Sequence, residues 1–342
     1  MNAMTRAVKS EATAVMQQTM QAVVRTEYGE AEVLRVAEAV RPTIGSGEVL
    51  VKVRAAALDR GTWHQMTGTP FLYRMMMGRR APKDAVIGLD VAGTIVEVGA
   101  EVTQLKVGDE VFGFSKGSFA QYACARADKL AKKPAGLTFE QAAVSGVSAL
   151  TALQALRDVG QVQAGQRVLI IGASGGVGTF AVQLATAYGA EVTGVCSASK
   201  LELVRSIGAA HVIDYTTQDY ASGAQRYDLI IDIAGNSALS RMRQVLSPKG
   251  TIVFVGGEGG GALTGGMNRP LWALFLSLFT SQKFAMKMPN EKGTDLEVVA
   301  QFIEAGKVKP VIDRTVTLQQ VPDAMRQLVA GKVAGKIAIT VA

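Results

Sequence analysis

Cysteine and histidine are scarce in this 342-residue chain, which has two of each: Cys124 and Cys196, His64 and His211. Two isolated cysteines build neither a disulfide framework nor a paired-cysteine zinc site, and this usage fits a reducing, cytoplasmic compartment. Long apolar runs are also missing. The longest, Leu271–Phe279, falls far short of the about 20 residues a membrane helix needs. No continuous apolar stretch occurs within residues 1–19, so they do not read as a secretory signal. They read as a disordered N-terminal extension, or as a start upstream of Met20, where the patterned sequence begins; organelle targeting is a weaker alternative, since Glu11 sits in their middle. No block of one charge exists either. The net charge is +7, but the basic residues are dispersed, whereas a nucleic-acid surface shows a stripe or cluster. The surplus suits a solvated surface or attraction of a polyanionic cofactor. Hydrophobic residues at 48% against 19% charged describe a folded protein with enough chain for two cores. Internal repeats and low-complexity linkers are absent.

Glycine is what the chain has in a telling place. Val168–Ile171 is a four-residue apolar run that fits a strand covered on both faces. Gly172, Gly175 and Gly178 follow, three apart, and a helical pattern runs on from Thr179 to Tyr188. Missing Cβ atoms at such positions permit a tight turn, close approach of a pyrophosphate and close packing of helix on strand. The helix start adds free N–H groups and the positive end of the dipole. With a second strand at Glu191–Cys196, the order of strand, turn, helix and strand favours a dinucleotide site. Further strands at His211–Ile213, Leu229–Ile233 and Thr251–Val255 alternate with helical stretches near Lys200–Ile207 and Ala238–Leu246. This alternation predicts an α/β, doubly wound parallel Rossmann sheet over 144–282.

The flanking sequence differs. Short strand patterns at Met20–Arg25, Leu34–Val36, Glu48–Ala56, Val86–Gly99, Val107–Phe114 and Gly117–Ala123 are punctuated by glycine turns. They predict a β-rich module. Asp59–Gly68 reads as a loop entering a short helix, and Phe71–Gly78 is rich in methionine, which fills core gaps or lines permissive pockets. Thr138 is a candidate helix N-cap. Past the Rossmann part come a helix at Asp295–Ala305, a strand at Val311–Thr315, a helix at Val321–Ala330 and a final strand at Lys336–Val341. This tail is expected to return to the first module, giving a discontinuous catalytic domain over 20–143 and 283–342.

Several segments together resemble the medium-chain dehydrogenase/reductase superfamily, in its zinc-independent NADPH quinone oxidoreductase-like branch. They are Gly88–Gly99, Val107–Gly113, Gly117–Tyr122, Gly172–Gly178, Gly306–Ile312 and Gly335–Thr340. The resemblance spans nearly everything from Met20 and implies that the β-rich part is GroES-like. Zinc members of the superfamily carry a Cys, a Gly-His-Glu segment and a second Cys at the metal. Here Asp59 stands at the first position, Gly88-Leu89-Asp90 at the second and Val147 near the third. A catalytic zinc takes three protein ligands of N, S or O type, so no metal is expected.

The second strand ends at Cys196 with no acid to bind a ribose 2′-hydroxyl. Ser197 and Lys200 offer a hydroxyl and a cation to a 2′-phosphate, and the resemblance adds Tyr215, so the expected cofactor is NADPH. Ser174, Gly175, Gly176, Val177 and Gly178 would cradle the phosphates. Ala234, Gly235, Asn236, Val255, Gly256 and Gly257 lie past two later strands, where open α/β sheets bind ligands. The resemblance brings Thr151 near the nicotinamide, though helix packing explains it equally well. Without a Lewis acid, the partner expected is a small-molecule electrophile: a quinone, an α,β-unsaturated carbonyl (enone) or an aldehyde. Trp63, Met66, Phe71 and Tyr73, with Leu271–Phe279, are candidate pocket residues or plain core. Tyr73 is the candidate hydrogen-bond or proton donor, with Asp59 orienting it or a water. Two other readings stay open: a low-turnover NADPH-binding or structural protein, and an alcohol dehydrogenase. The resemblance also implies a homodimer.

Overall fold

A computed structural model describes residues 18–257, 265–287 and 290–342. Most of the expected extension, residues 1–17, lies outside these ranges, and its last member, Thr19, already pairs with Val40. Strands β1 (Thr19–Val24) and β2 (Arg35–Val40) form an antiparallel ribbon. The β-rich domain is built on β3 (Glu48–Leu58), whose Val49, Val51 and Val53 point into one core. Helices α1 (Arg60–Thr67) and α2 (Phe71–Met77) follow. Then come β4 (Asp90–Val98), β5 (Glu110–Phe114), β6 (Tyr122–Arg126) and β7 (Leu130–Lys132). The strand expected at Gly117–Ala123 therefore begins later. Gly117 sits at φ +69°, and Phe119 and Ala120 turn into the interior, which leaves only a bridge from Ala120 to Ala22.

Helix α3 (Phe139–Ala143) opens on Thr138 with a reciprocal capping box to Gln141, as the N-cap pattern requires. It leads into α4 (Val147–Gln154), β8 (Arg167–Ile171), α5 (Gly176–Ala187) and β9 (Glu191–Cys196). Next are α6 (Leu201–Ser206), β10 (His211–Asp214), β11 (Tyr227–Asp232), α7 (Leu239–Val245) and β12 (Leu246–Phe254). After α8 (Asn268–Leu276) comes β13 (Lys283–Met286). The parallel sheet runs β10-β9-β8-β11-β12-β13. On β8, Val168 and Ile170 pack under Phe180 and Leu184 of α5, while Leu169 and Ile171 face Met242 and Val245 of α7. Two-sided cover is the reason Val168–Ile171 of β8 are all apolar, each such side chain contributing roughly 1.5–3 kcal/mol on burial. Lys283–Met286, expected in the β-rich part, is instead the sixth strand of this sheet, paired with β12.

The tail returns as expected. Helix α9 (Gly293–Glu304), β14 (Ile312–Thr317), α10 (Val321–Val329) and β15 (Lys336–Thr340) follow, and β15 lies antiparallel to β3. The parallel sheet reverses its strand order between β8 and β11, and the carboxyl ends there face β15: the Gly335 amide donates to the Ser174 carbonyl at 2.8 Å.

Candidate functional site

At the end of β8, Gly172 turns at φ +92°. A Cβ on Gly178 would lie 2.1 Å from the Gly172 carbonyl oxygen, so only glycine lets α5 approach this closely. Gly175 is the N-cap of α5, and a Cβ there would meet nothing nearer than 3.6 Å. The first turn of α5 contains no acid. Its opening N–H groups, from Gly176, Val177 and Gly178, have no intrahelical acceptor, the arrangement with which a helix start can bind an anion. The residues present therefore fit a dinucleotide pyrophosphate.

The 2′-phosphate candidates separate into two kinds. Ser197 and Tyr215 come together at the ends of β9 and β10, where the Tyr215 amide donates to the Cys196 carbonyl at 3.1 Å. Tyr215 is exposed. Lys200 behaves differently: its ammonium donates to the carbonyls of Gly331 and Val333 at 2.9 and 2.7 Å, and burial lowers its pKa. It ties the end of β9 to the loop before β15. An acid unremarked in the sequence, Asp214, ends β10. Its carboxylate accepts from the Thr216 amide and hydroxyl at 3.0 and 2.8 Å and from Thr217 at 3.2 Å. Those donors, the Thr216 amide foremost, hold it below the usual carboxylate range.

At the end of β11, Gly235 adopts φ +71° and its amide donates to Asp232 at 3.1 Å. Ala234 binds back to the Ile171 carbonyl at 3.1 Å; Asn236 follows this turn. A Cβ on Gly256 would strike the Ile233 carbonyl at 2.1 Å, so Val255, Gly256 and Gly257 cross close to β11 for steric reasons as well. Asp232 is fully buried and paired with Arg269 of α8 at 2.6 Å; desolvation raises its pKa against the pull of that guanidinium. An aspartate closing an apolar strand was the signal for this pair. Thr151 donates to the Val147 carbonyl at 2.7 Å, the helix-packing geometry.

The substrate side is built by side chains. Asp59 caps α1, accepting from the Thr62 amide at 2.7 Å, and is buried; its other oxygen, Oδ2, makes no hydrogen bond. Tyr73 is raised in pKa by burial, then by the charges of Glu291 and Asp59, and its ring stacks on His64. Trp63 is half-buried with an unbonded indole N–H, and Phe71 is exposed at the head of α2. Met66, expected in the pocket, is fully buried in the β-rich core, because it lies on the inward face of α1. Leu271, Trp272, Phe275 and Phe279 are exposed, with the three aromatic rings in succession. The two segments meet where Gly265 packs on Pro70. A separate hollow of about 330 Å³, lined by Lys52, Arg54, Phe139 and Thr340 among others, contains none of these residues.

Between the two sides lies a cluster of Asp59, Asp90 and a lysine that sequence reasoning missed. Lys336, at the start of β15, is buried and donates to Asp90 Oδ2 at 2.9 Å, with Asp59 Oδ2 at 4.0 Å. Asp90 Oδ1 accepts from the Val147 amide at 2.6 Å. Burial pushes Asp90 up to about 7, against the opposing pull of Lys336. A lysine heading the apolar run Ile337–Ile339 was the available signal.

Two family models match the chain: "Alcohol dehydrogenase GroES-like domain" over residues 45–135 and "Zinc-binding dehydrogenase" over 207–339. The chain is 32% identical to the mitochondrial NAD(P)H oxidoreductase RTN4IP1 of Mus musculus, over 94% of this chain and 89% of that protein. It is 33% identical to the chloroplastic NADPH-dependent alkenal/one oxidoreductase of Arabidopsis thaliana, over 97% and 82%. The quinone oxidoreductase structure from Coxiella burnetii superposes with a TM-score of 0.86 at 25% identity, over 95% of this chain and all of that one. The zinc that the second family description names does not fit the residues present. Leu89 and Val147 offer no side-chain ligand, and an ammonium stands against the two carboxylates. Among the described residues, no group of three or more His, Cys, Asp or Glu is placed to hold a metal ion.

Proposed function

The chain belongs to the medium-chain dehydrogenase/reductase superfamily and is quinone oxidoreductase-like, and from that premise we propose that it is a zinc-independent reductase. Its electrophile is a quinone or an α,β-unsaturated carbonyl, and its cofactor is NADPH. The observation that carries this reading is the content of the metal position: an ammonium set against two carboxylates, with a glycine-rich turn on one side of it. The bound cofactor would supply a hydride to the conjugated electrophile. Conjugation spreads the incoming charge, so positioning and a hydrogen bond suffice where a simple alcohol would need a Lewis acid.

The chain's own residues divide the work. Ser174–Gly178 hold the pyrophosphate on the start of α5, and Ser197, Tyr215 and Lys200 bind the 2′-phosphate. For Lys200 this means leaving the Gly331 and Val333 carbonyls. The turns at Ala234–Asn236 and Val255–Gly257 receive the ribose and nicotinamide side, with Thr151 packed nearby. Trp63, Phe71, Leu271 and Trp272 form apolar walls that exclude water. Tyr73 donates to the substrate oxygen as charge develops there, a phenol being protonated at neutral pH at its ordinary pKa of about 10, and Asp59 orients it or a water. The two free thiols, Cys124 and Cys196, favour a reducing, cytoplasmic setting. No helix among the described residues is long and apolar enough to cross a membrane. Strand β13 ends the parallel sheet, and its outer edge suits pairing with a second copy in a homodimer.

The test is NADPH oxidation followed at about 340 nm, where reduced nicotinamide absorbs, with quinones, enones, aldehydes and alcohols, with and without chelator. Chelator-resistant turnover of a quinone or enone is expected. Tight NADPH binding without turnover, or turnover restored only by zinc, would overturn the reading.

A further inference from the structure

The metal does not fit, yet its place is not simply vacated by the substitutions at Asp59, Leu89 and Val147. We propose that Lys336 is the positioning residue that fixes the cofactor-side loop against the substrate-side carboxylates. This rests on the reductase reading above.

Three contacts made by one dipeptide carry it. The Gly335 amide donates to the Ser174 carbonyl inside the glycine-rich turn, at 2.8 Å. The aliphatic stem of Lys336 covers Gly176, where a Cβ would lie 2.7 Å from Lys336 Cδ and 3.1 Å from the Ser148 hydroxyl. The Lys336 ammonium then reaches Asp90 on β4 at 2.9 Å and faces Asp59, the cap of α1, at 4.0 Å. Asp90 in turn accepts from the first amide of α4 at 2.6 Å. A Cβ on Gly146 would stand 2.3 Å from that same carboxylate. One buried side chain thus touches the phosphate loop of one domain and two strand-and-helix junctions of the other.

The charges are consistent with a joining role. Lysine and aspartate are rarely buried unless paired, and desolvation makes such pairs weak contributors to net stability. What a fully buried pair between two domains supplies is a fixed geometry. Asp59 Oδ2, buried and without a hydrogen bond, is the one oxygen of the cluster left to face an incoming group or water. Hydride transfer is sensitive to such alignment, since a misplacement of about 1 Å costs on the order of 100-fold.

The experiment compares wild type, Lys336→Met, Lys336→Arg and the double variant Asp90→Asn/Lys336→Met. Each is assayed with NADPH and a 2-alkenal or a quinone, for kcat, for the KM of each substrate, and for thermal midpoint. Lys336→Met is expected to lower kcat by about 100-fold with a smaller change in the KM for NADPH. Lys336→Arg should restore kcat to within about tenfold, because the cation returns with altered geometry. The double variant, which removes both members of the 2.9 Å pair and leaves Asp59 as the remaining buried charge, should recover most of the thermal midpoint but not kcat. Recovery of kcat together with the midpoint would make the pair merely structural and overturn the proposal, as would wild-type kcat in Lys336→Met. Should wild type reduce neither electrophile, the reductase reading fails, and the fluorescence of bound NADPH decides the positioning role by itself. An emission change on Lys336→Met, reversed by Lys336→Arg, supports it; identical emission from all three overturns it.

Discussion

The two ends of the proposed site are made from different materials. The dinucleotide end is backbone: glycines at 172, 176 and 178 fit where side chains would collide with Ala234, Lys336 and Gly172. The substrate end is side chain: Asp59, Asp90 and Lys336 come from sequence positions far apart and are buried together. Backbone sites tolerate no added atoms but depend little on charge. Side-chain sites accept changes of shape and fail when one charge loses its partner. Substitutions at each end therefore separate the two designs.

The largest effect is expected at the backbone end. Gly178→Val drives a Cβ to 2.1 Å from the Gly172 oxygen, and α5 has to move off β8. NADPH binding should weaken by more than about 100-fold, together with a clear loss of stability, since overpacking alone costs about 1–3 kcal/mol. Calorimetric titration and thermal melting check both. Next comes Tyr73→Phe at the other end. It should lower kcat by about 100-fold, the lower range for a general acid, with NADPH affinity unchanged; an unchanged kcat removes Tyr73 from the reaction.

These ends were not equally legible in the sequence. Spacing of three between glycines after four apolar residues is a local signal, and the turn and the start of α5 followed from it; Thr138 was a separate local signal for the start of α3. Lys336 and Asp90 are 246 residues apart, and no local pattern joins them; only the odd polar residue in an apolar strand marks such a pair. Met66 was misplaced for a related reason: α1 is too short for its inward face to be fixed before β3 and β4 are packed. The strand at Lys283–Met286 has only four residues and sits at a sheet edge, where pairing with β12 overrides a weak pattern.

Lys200→Ala comes third. Removing the ammonium should raise the KM for NADPH by about tenfold, the scale of one charge-assisted hydrogen bond, and leave the KM for NADH unchanged. Equal changes for both cofactors would mean that Lys200 only holds the Gly331–Val333 loop. A further comparison concerns the pH dependence of stability. Asp90 binds its proton more tightly in the folded chain than in the unfolded one, with a folded pKa of about 7. An acid raised in this way gives stability below its unfolded pKa, about 3.9, that is lost as pH rises to about 7. Denaturant midpoints of wild type should therefore fall over that window relative to Asp90→Asn; parallel curves would place the titration elsewhere.

The most direct measurement follows the hydride itself. Protein stripped by chelator, with its zinc content measured, is mixed with NADPH deuterated at C4, each face in turn, and an enone. The expected result is deuterium at the β-carbon of the saturated product from one face only, at the same rate as protein not treated with chelator and with negligible zinc per chain. Product without deuterium from either face, or turnover that tracks added zinc, would contradict it.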